Sequence, residues 1–319
     1  MCASLAGCVP KLRSRPVDIL PARERKEKPR ALMTLLALTL VLSAAFFHAT
    51  WNLLAKRAGS ETSGVVFVWL FGSLSTLLYA PLAFAVVIFQ SPPLGAIELL
   101  FMFGSGVLHL GYFLLLQRGY AVGDLSVVYP LARGTGPLLA TVAAIALFGE
   151  RPSLVALSGV ALIAAGVFSL TRGPAEGARF GWDVIYGLST GAFIAAYTLW
   201  DKQAVSALLI PPLLQSWSAT LVSVTFLTPL ATRRQEEVRA AWHAHKLEVF
   251  GVAVLSPLSY ILVLTALVFT PVSYVAPARE VSILIATAMG TGLLAEGEVR
   301  RRLLAAGTMV LGVMALALG

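Results

Sequence analysis

Charged residues are scarce in this chain. Only 13% of its 319 residues are Asp, Glu, Lys or Arg, and 58% are hydrophobic, whereas about a quarter of the residues in a typical soluble domain are charged. A soluble protein of this composition would need long buried helices that have no polar face. Together with a mean hydropathy of +0.83, the shortage of charge predicts an integral membrane protein.

Cysteine and the usual catalytic motifs are also nearly missing. The only cysteines, Cys2 and Cys8, precede the first apolar run, so they can build neither a disulfide framework nor a metal cluster. The chain contains no HExxH motif and no GxxxxGK[ST] loop for binding nucleotide phosphates. These absences argue against an intramembrane enzyme and an ATP-driven pump, and they predict no catalytic residue, no metal site and no cofactor.

The positive charge is concentrated at the amino terminus. The formal net charge is +8, and eight Lys and Arg residues lie within residues 1–31. We expect this basic tail to be disordered and to contact anionic lipid head groups of the bilayer rather than nucleic acid. The tail favours a cytoplasmic amino terminus, but the basic residues of the odd-numbered loops favour the opposite orientation.

Ten apolar runs follow the tail, and each is long enough to cross a bilayer as a helix. Strands are not expected, because an open sheet edge in lipid leaves backbone groups without partners. The sequence therefore predicts an all-α polytopic membrane protein with ten transmembrane helices. The runs cover residues 32–50, 64–89, 97–117, 125–148, 153–171, 183–201, 209–231, 248–269, 273–294 and 300–319.

The two halves of the chain repeat each other at a constant spacing. Identical residues recur 146 positions apart, which indicates one unit copied once, with repeats over 32–171 and 182–319. Five spans is an odd number, so the second copy enters the membrane from the opposite side, as in secondary transporters that bind solute at the midplane between inverted repeats. The matched pairs are Phe47 and Phe193, Lys56 and Lys202, Ala132 and Ala278, Arg133 and Arg279, Leu138 and Leu284, Glu150 and Glu296, and Gly166 and Gly312.

Three charges fall well inside the apolar runs, namely Arg133, Arg279 and Glu280. Arg133 lies about 12 Å along its helix, near the middle of a bilayer about 30 Å thick. A charge at that depth costs at least about 2.5 kcal/mol, so it should face a polar cavity or a partner. Adjacent residues on a helix point in different directions, so we expect Glu280 to pair with Arg133 across the repeat interface. Arg279 would then be free to bind a carboxylate or phosphate.

Other residues near this depth are candidates for lining the same cavity. Pro130 and Pro277 precede the two arginines and are expected to break their helices, which marks transporter sites. Tyr129 lies one turn before Arg133, and Tyr112 shares a helical face with His109. His109 is compatible with proton relay or with a hydrogen bond to a neighbouring helix.

Some conspicuous residues are better explained by structure than by binding. His48 lies near the end of the first run, so we expect an interfacial or packing role for it. Glu150 and Glu296 are expected to be features of helix ends. The small residues Gly136, Ala140 and Ala144 favour close helix contact, either within the chain or in a homodimer.

The residues just described resemble the EamA domain family of the drug/metabolite transporter superfamily, from Met33 onward. The resemblance is most specific at 123–133 (GDLSVVYPLAR) and at Gly149-Glu150-Arg151-Pro152, and weaker in the second copy, where Arg300–Arg302 replace a usual proline-containing turn. It implies a permease in a bacterial inner membrane that exports or exchanges a small metabolite by alternating access, driven by protons or solute gradients. The paired arginines favour an anionic solute; a lipid-carrier flippase or a non-transporting membrane subunit is the alternative.

Overall fold

A computed structural model describes residues 33–59, 63–122, 125–171, 181–289 and 299–319. The basic tail lies outside this part of the chain. The described residues form helices and short connections, with no strand among them. The helices are α1 (Leu35–Gly59), α2 (Gly64–Gln90), α3 (Ala96–Val122), α4 (Leu125–Phe148), α5 (Leu154–Thr171), α6 (Trp182–Ser206), α7 (Pro212–Thr232), α8 (Gln235–Phe269), α9 (Val272–Arg279), α10 (Val281–Met289) and α11 (Val299–Leu318).

The eleven helices of the described residues correspond to ten spans, because α9 and α10 are the two halves of one broken span. They meet at Glu280, which lies in a turn. Helix α8 also has two parts, separated by a non-helical residue at His245. Its first part carries exposed charges and a partly exposed Trp242, which suits the membrane–water interface. Five of the described helices, α1 to α4 and α8, are apolar and long enough to cross a membrane by length and composition.

Contacts between loops agree with a chain that crosses the membrane ten times. Ser63, between spans 1 and 2, binds Arg234 and Glu237, between spans 7 and 8. On the other side, Glu150 between spans 4 and 5 binds backbone at the start of α9, after span 8. Loops with odd numbers thus meet one another, and so do loops with even numbers, as alternate crossing requires.

The two halves interlock as an inverted pair of repeats. Helix α1 of the first repeat packs on α8, α9 and α10 of the second. Its counterpart in the second repeat, α6, packs on the corresponding helices of the first repeat, α3 and α4. Helices α2 and α7, and α5 and α11, pair with their own counterparts. The main core lies between the halves, while large apolar side chains stay exposed on the outside, such as Leu77 (71%), Phe89 (84%) and Leu154 (84%). Such a surface belongs in lipid.

Small residues bring helices close together within the chain. A Cβ at Gly159 of α5 would lie 2.6 Å from the carbonyl oxygen of Gly312 in α11, and a Cβ at Gly312 would lie 2.8 Å from that of Gly159. On α4, a Cβ at Gly136 would meet Ile194 of α6 at 2.7 Å. The predicted small-residue ridge on α4 therefore serves contact between the repeats.

Glu150 caps the broken ninth span. Its two carboxylate oxygens accept hydrogen bonds from the backbone N–H groups of Val272 and Ser273, at 2.8 and 2.9 Å. These are the first residues of α9, whose N–H groups have no partner within the helix. The expectation that Glu150 is a helix-end feature is confirmed, although the helix that it caps belongs to the other repeat. Glu296 lies outside the described residues.

We predict that Glu150→Ala lowers the free energy of unfolding by about 1–2 kcal/mol, because two N–H groups lose a charged acceptor. The measurement is thermal unfolding of the purified protein in detergent. Arg151→Ala, at an exposed neighbouring position, is the matched control and should leave the midpoint unchanged. Equal midpoints for the two variants would contradict the capping role.

Candidate functional site

The two arginines from the two repeats meet at one carboxylate. Arg133 of α4 places its Nε 3.1 Å from Oε2 of Glu280, and Arg279 of α9 places its Nε 3.8 Å from Oε1 of the same residue. All three residues are buried, with exposed fractions of 7%, 5% and 1%. The predicted pairing of Glu280 with Arg133 across the repeat interface is therefore present.

The expectation that Arg279 and Glu280 are poor partners is wrong. It assumed a continuous helix through both residues, but the helix ends at Arg279 and Glu280 lies in the turn before α10. The Glu280 N–H bonds to the Pro277 carbonyl three residues earlier at 3.0 Å, so the chain winds more tightly here than in an α-helix. The turn brings the adjacent side chains within reach, and Arg279 is consequently not free.

Arg133 has further polar neighbours from both repeats. Its Nη2 lies 3.3 Å from Nε2 of His48 on α1 and 3.4 Å from the Ser282 hydroxyl on α10. A guanidinium can only donate, so His48 Nε2 accepts and the imidazole is neutral, with its proton on Nδ1. Of the interfacial or packing role expected for His48, the packing contact is present, because its ring meets Trp51 edge-on with centroids 4.8 Å apart. The bond to Arg133 was not expected; α1 continues to Gly59, so His48 lies well within the helix.

Arg279 faces a cluster of aromatic side chains. Its Nη2 donates to the Tyr197 hydroxyl at 3.4 Å. The Tyr197 ring stacks on His109, with centroids 4.2 Å apart, and meets Tyr112 edge-on at 5.8 Å. His109 Nδ1 donates to the Ser105 carbonyl at 2.8 Å, a bond within its own helix. The structure thus brings His109 and Tyr112 to Arg279, through Tyr197.

The two arginine-bearing spans differ in their backbone. Span 9 is divided at Glu280, three residues after Pro277, whereas α4 runs as one helix through Arg133. The break expected at Pro130 is therefore wrong, because α4 is one continuous helix from Leu125 to Phe148. The side chains of Tyr129 and Pro130 lie outside the described residues.

The centre is positively charged and tightly closed. Two guanidinium groups share one carboxylate, and the adjacent His48 is neutral, so this group of side chains has an excess of one positive charge. Beside Arg133 and Glu280, between α4, α5 and α9, lies a cavity of about 10 Å³, room for about one water molecule. The expected midplane cavity is therefore closed here, and a metabolite would need the helices to move apart.

Sequence reasoning missed Tyr197, Ser282 and His48 as neighbours of the arginines. The signal for Tyr197 was its position on the sixth span, one helical turn before the acidic Asp201 on the same face. Ser282 lies two residues beyond Glu280, and only the turn at Glu280 aims it at Arg133. That turn has no counterpart in α4, so the repeat pattern could not indicate it.

Comparisons with known proteins agree with this architecture. The fold is similar to that of a protein of known crystal structure, with a TM-score of 0.66 at 15% sequence identity, over 91% of this chain and 99% of the other. Identity this low shows the fold alone. No curated protein matches the chain. The sequence profile of the EamA-like transporter family matches twice, over residues 35–172 and 181–318. The chain therefore belongs to the EamA-like transporter family and is an integral membrane protein of the drug/metabolite transporter type.

Proposed function

We propose that this protein is a secondary transporter of a small organic anion, which binds between Arg133 and Arg279. The observation that carries the proposal is the charge imbalance at the centre: two buried guanidinium groups, one from each repeat, share the single carboxylate of Glu280. A carboxylate or phosphate from solution would supply the missing negative charge. Guanidinium groups suit both, because their N–H groups form a planar fork.

In the absence of substrate, the carboxylate of Glu280 occupies the position between the two guanidiniums that the substrate anion would take. This carboxylate lies 3.1 Å from Arg133 but 3.8 Å from Arg279, so Arg133 is its tighter partner. An incoming anion would take over Arg279, and Glu280 would stay with Arg133. Without substrate the centre stays closed, because opening it would leave the guanidinium of Arg279 without a carboxylate in a region poor in water.

The break at Glu280 supplies a place where the second repeat can bend. Transporters of this architecture move one bundle against the other around a central site, and broken spans mark that site. Rotation of α9 relative to α10 would open the centre while α4 stays straight. An all-helical bundle of this kind suits the inner membrane of a bacterium, where export or exchange of a metabolite would take place.

The test is counterflow in proteoliposomes that contain the purified protein. Vesicles are loaded with one unlabelled solute from a panel of small acidic, neutral and basic metabolites, and entry of the same solute in labelled form is followed. We expect exchange of one or more acidic solutes and none of basic ones. Exchange restricted to neutral or basic solutes would contradict the proposal, and movement of a labelled lipid instead would favour a flippase.

A further inference from the structure

Asp201 is a buried carboxylate that takes no part in the arginine cluster. It lies on α6 with 0% of its surface exposed. Gln215 Nε2 of α7 donates to its Oδ1 at 2.9 Å, and the Tyr260 hydroxyl of α8 donates to its Oδ2. Among the described side chains, none that is basic lies within ion-pair distance of Asp201.

An ionised carboxylate with only neutral partners is costly inside a membrane. Burial in a region of low dielectric disfavours its charge unless a cation compensates. A proton is the simplest such cation, and it converts the carboxylate into a neutral hydrogen-bond donor. Rotation of the Gln215 amide would give that donor an acceptor, because Gln215 Oε1 is buried and makes no hydrogen bond within the described part of the chain, whereas Nε2 now faces Asp201.

A short chain of aromatic side chains joins Asp201 to the anion site. Tyr197 precedes Asp201 by four residues and therefore lies on the same face of α6, one turn away. Its hydroxyl accepts from Arg279 at 3.4 Å, and its ring lies 6.3 Å, centroid to centroid, from Tyr260, which donates to Asp201. Two tyrosines therefore lie between Asp201 and Arg279.

Each helix packed against α6 contributes few titratable or charged groups here. His109 of α3 contacts the rings of Tyr197 and Tyr260, and α7 supplies only the neutral Gln215. Lys202 turns away to the carbonyl oxygens of Leu267 and Thr270 at the end of α8. The remaining charged groups are the guanidiniums of Arg133 on α4 and Arg279 on α9, together with the Glu280 carboxylate that they share.

The charges of these buried groups couple a proton to an anion. With Asp201 ionised, two guanidiniums and two carboxylates balance, and the centre has no excess charge for a substrate. Protonation of Asp201 restores one positive charge, which an entering monoanion then neutralises. Proton and anion therefore strengthen each other's binding, and by linkage each raises the affinity for the other equally.

We propose that Asp201 is the proton-binding residue of this transporter and takes up a proton when a monoanion binds at the two arginines. The inference rests on the proposed function. It makes the transport a symport, in which proton and anion cross the membrane in the same direction.

The test uses an acidic solute that the wild-type protein exchanges in counterflow. Solute is added to weakly buffered protein in detergent with a pH-indicating dye, and proton uptake is recorded. We expect uptake by the wild type and none by Asp201→Asn, which keeps the size of the side chain and, like a protonated carboxyl group, carries one acceptor oxygen and one donor group. The matched control Glu236→Gln removes a carboxylate that is 94% exposed and should behave as the wild type.

Transport in vesicles separates coupling from binding. Accumulation of the anion driven by a pH gradient should be lost in Asp201→Asn, while counterflow at equal pH persists. If Asp201→Asn does not fold, Tyr260→Phe is used, and the pH at which protons are taken up should shift.

Three results would overturn the assignment of Asp201. They are proton uptake by Asp201→Asn, an unchanged pH of proton uptake in Tyr260→Phe, and accumulation of the anion driven by sodium instead of protons. Absence of any exchanged acidic solute in the wild type would instead overturn the proposed function.

Discussion

Glu280→Lys should abolish transport and strongly destabilise the protein. Glu280 is 1% exposed and is the carboxylate on which Arg133 and Arg279 converge. Removing one partner of a buried pair costs about 3–5 kcal/mol of folding free energy. The substitution also places a third positive charge beside the two guanidiniums, which would then have no carboxylate between them. We expect the ratio of folded to unfolded protein in detergent to fall by about two orders of magnitude or more, measured by thermal unfolding and size-exclusion chromatography.

The double exchange Arg133→Glu with Glu280→Arg should partly restore folding and transport. It rebuilds the pair with its charges reversed, at the 3.1 Å contact of the wild type. Recovery is partial, because the new arginine would adjoin Arg279. Glu236→Lys, at a side chain that is 94% exposed, is the control for charge reversal as such and should fold normally. If the double variant folded and transported no better than Glu280→Lys, the pairing of Arg133 with Glu280 would be contradicted.

Arg279→Lys should weaken transport of the acidic solute although the positive charge is kept. Lysine is a point charge without the planar fork that binds a carboxylate through two N–H groups, and it loses the bond to Tyr197. Losing a charge-assisted hydrogen bond costs about 1.5–3 kcal/mol, so the KM should rise by about one to two orders of magnitude. The measurement is the concentration dependence of counterflow.

A surface arginine provides the matched control for this substitution. Arg239→Lys changes a side chain that is 70% exposed on the first part of α8, and surface ion pairs contribute little. Its KM should equal that of the wild type. If Arg279→Lys and Arg239→Lys transported the acidic solute equally well, the guanidinium of Arg279 would have no part in recognition.

The fold could be read from the sequence because its main determinants are local or periodic. Runs of apolar residues fix the spans, and an odd number of spans per repeat fixes the inverted arrangement. The depth of Arg133 followed from its distance along α4, and its need for a carboxylate followed from the cost of burying a charge. These steps use only helix geometry and solvation, which do not depend on neighbouring helices.

The contacts of the site depended on a local feature that the sequence does not display. A straight helix separates the side chains of Arg279 and Glu280, whereas the turn at Glu280 brings them to 3.8 Å. The first apolar run ends at residue 50, although α1 continues to Gly59. His48 therefore looked close to the end of its span, whereas it lies well within the helix. Tertiary packing, not local preference, decided both places.

Equilibrium binding of the exchanged acidic solute to the purified protein tests the central claim most directly. Calorimetric titrations compare the wild type with Arg133→Gln, Arg279→Gln and the double variant. We predict that each single substitution weakens binding by about tenfold or more, and that their effects are not additive, because both guanidiniums act on one ligand. Equal affinity in all four proteins would show that the two arginines do not form an anion site.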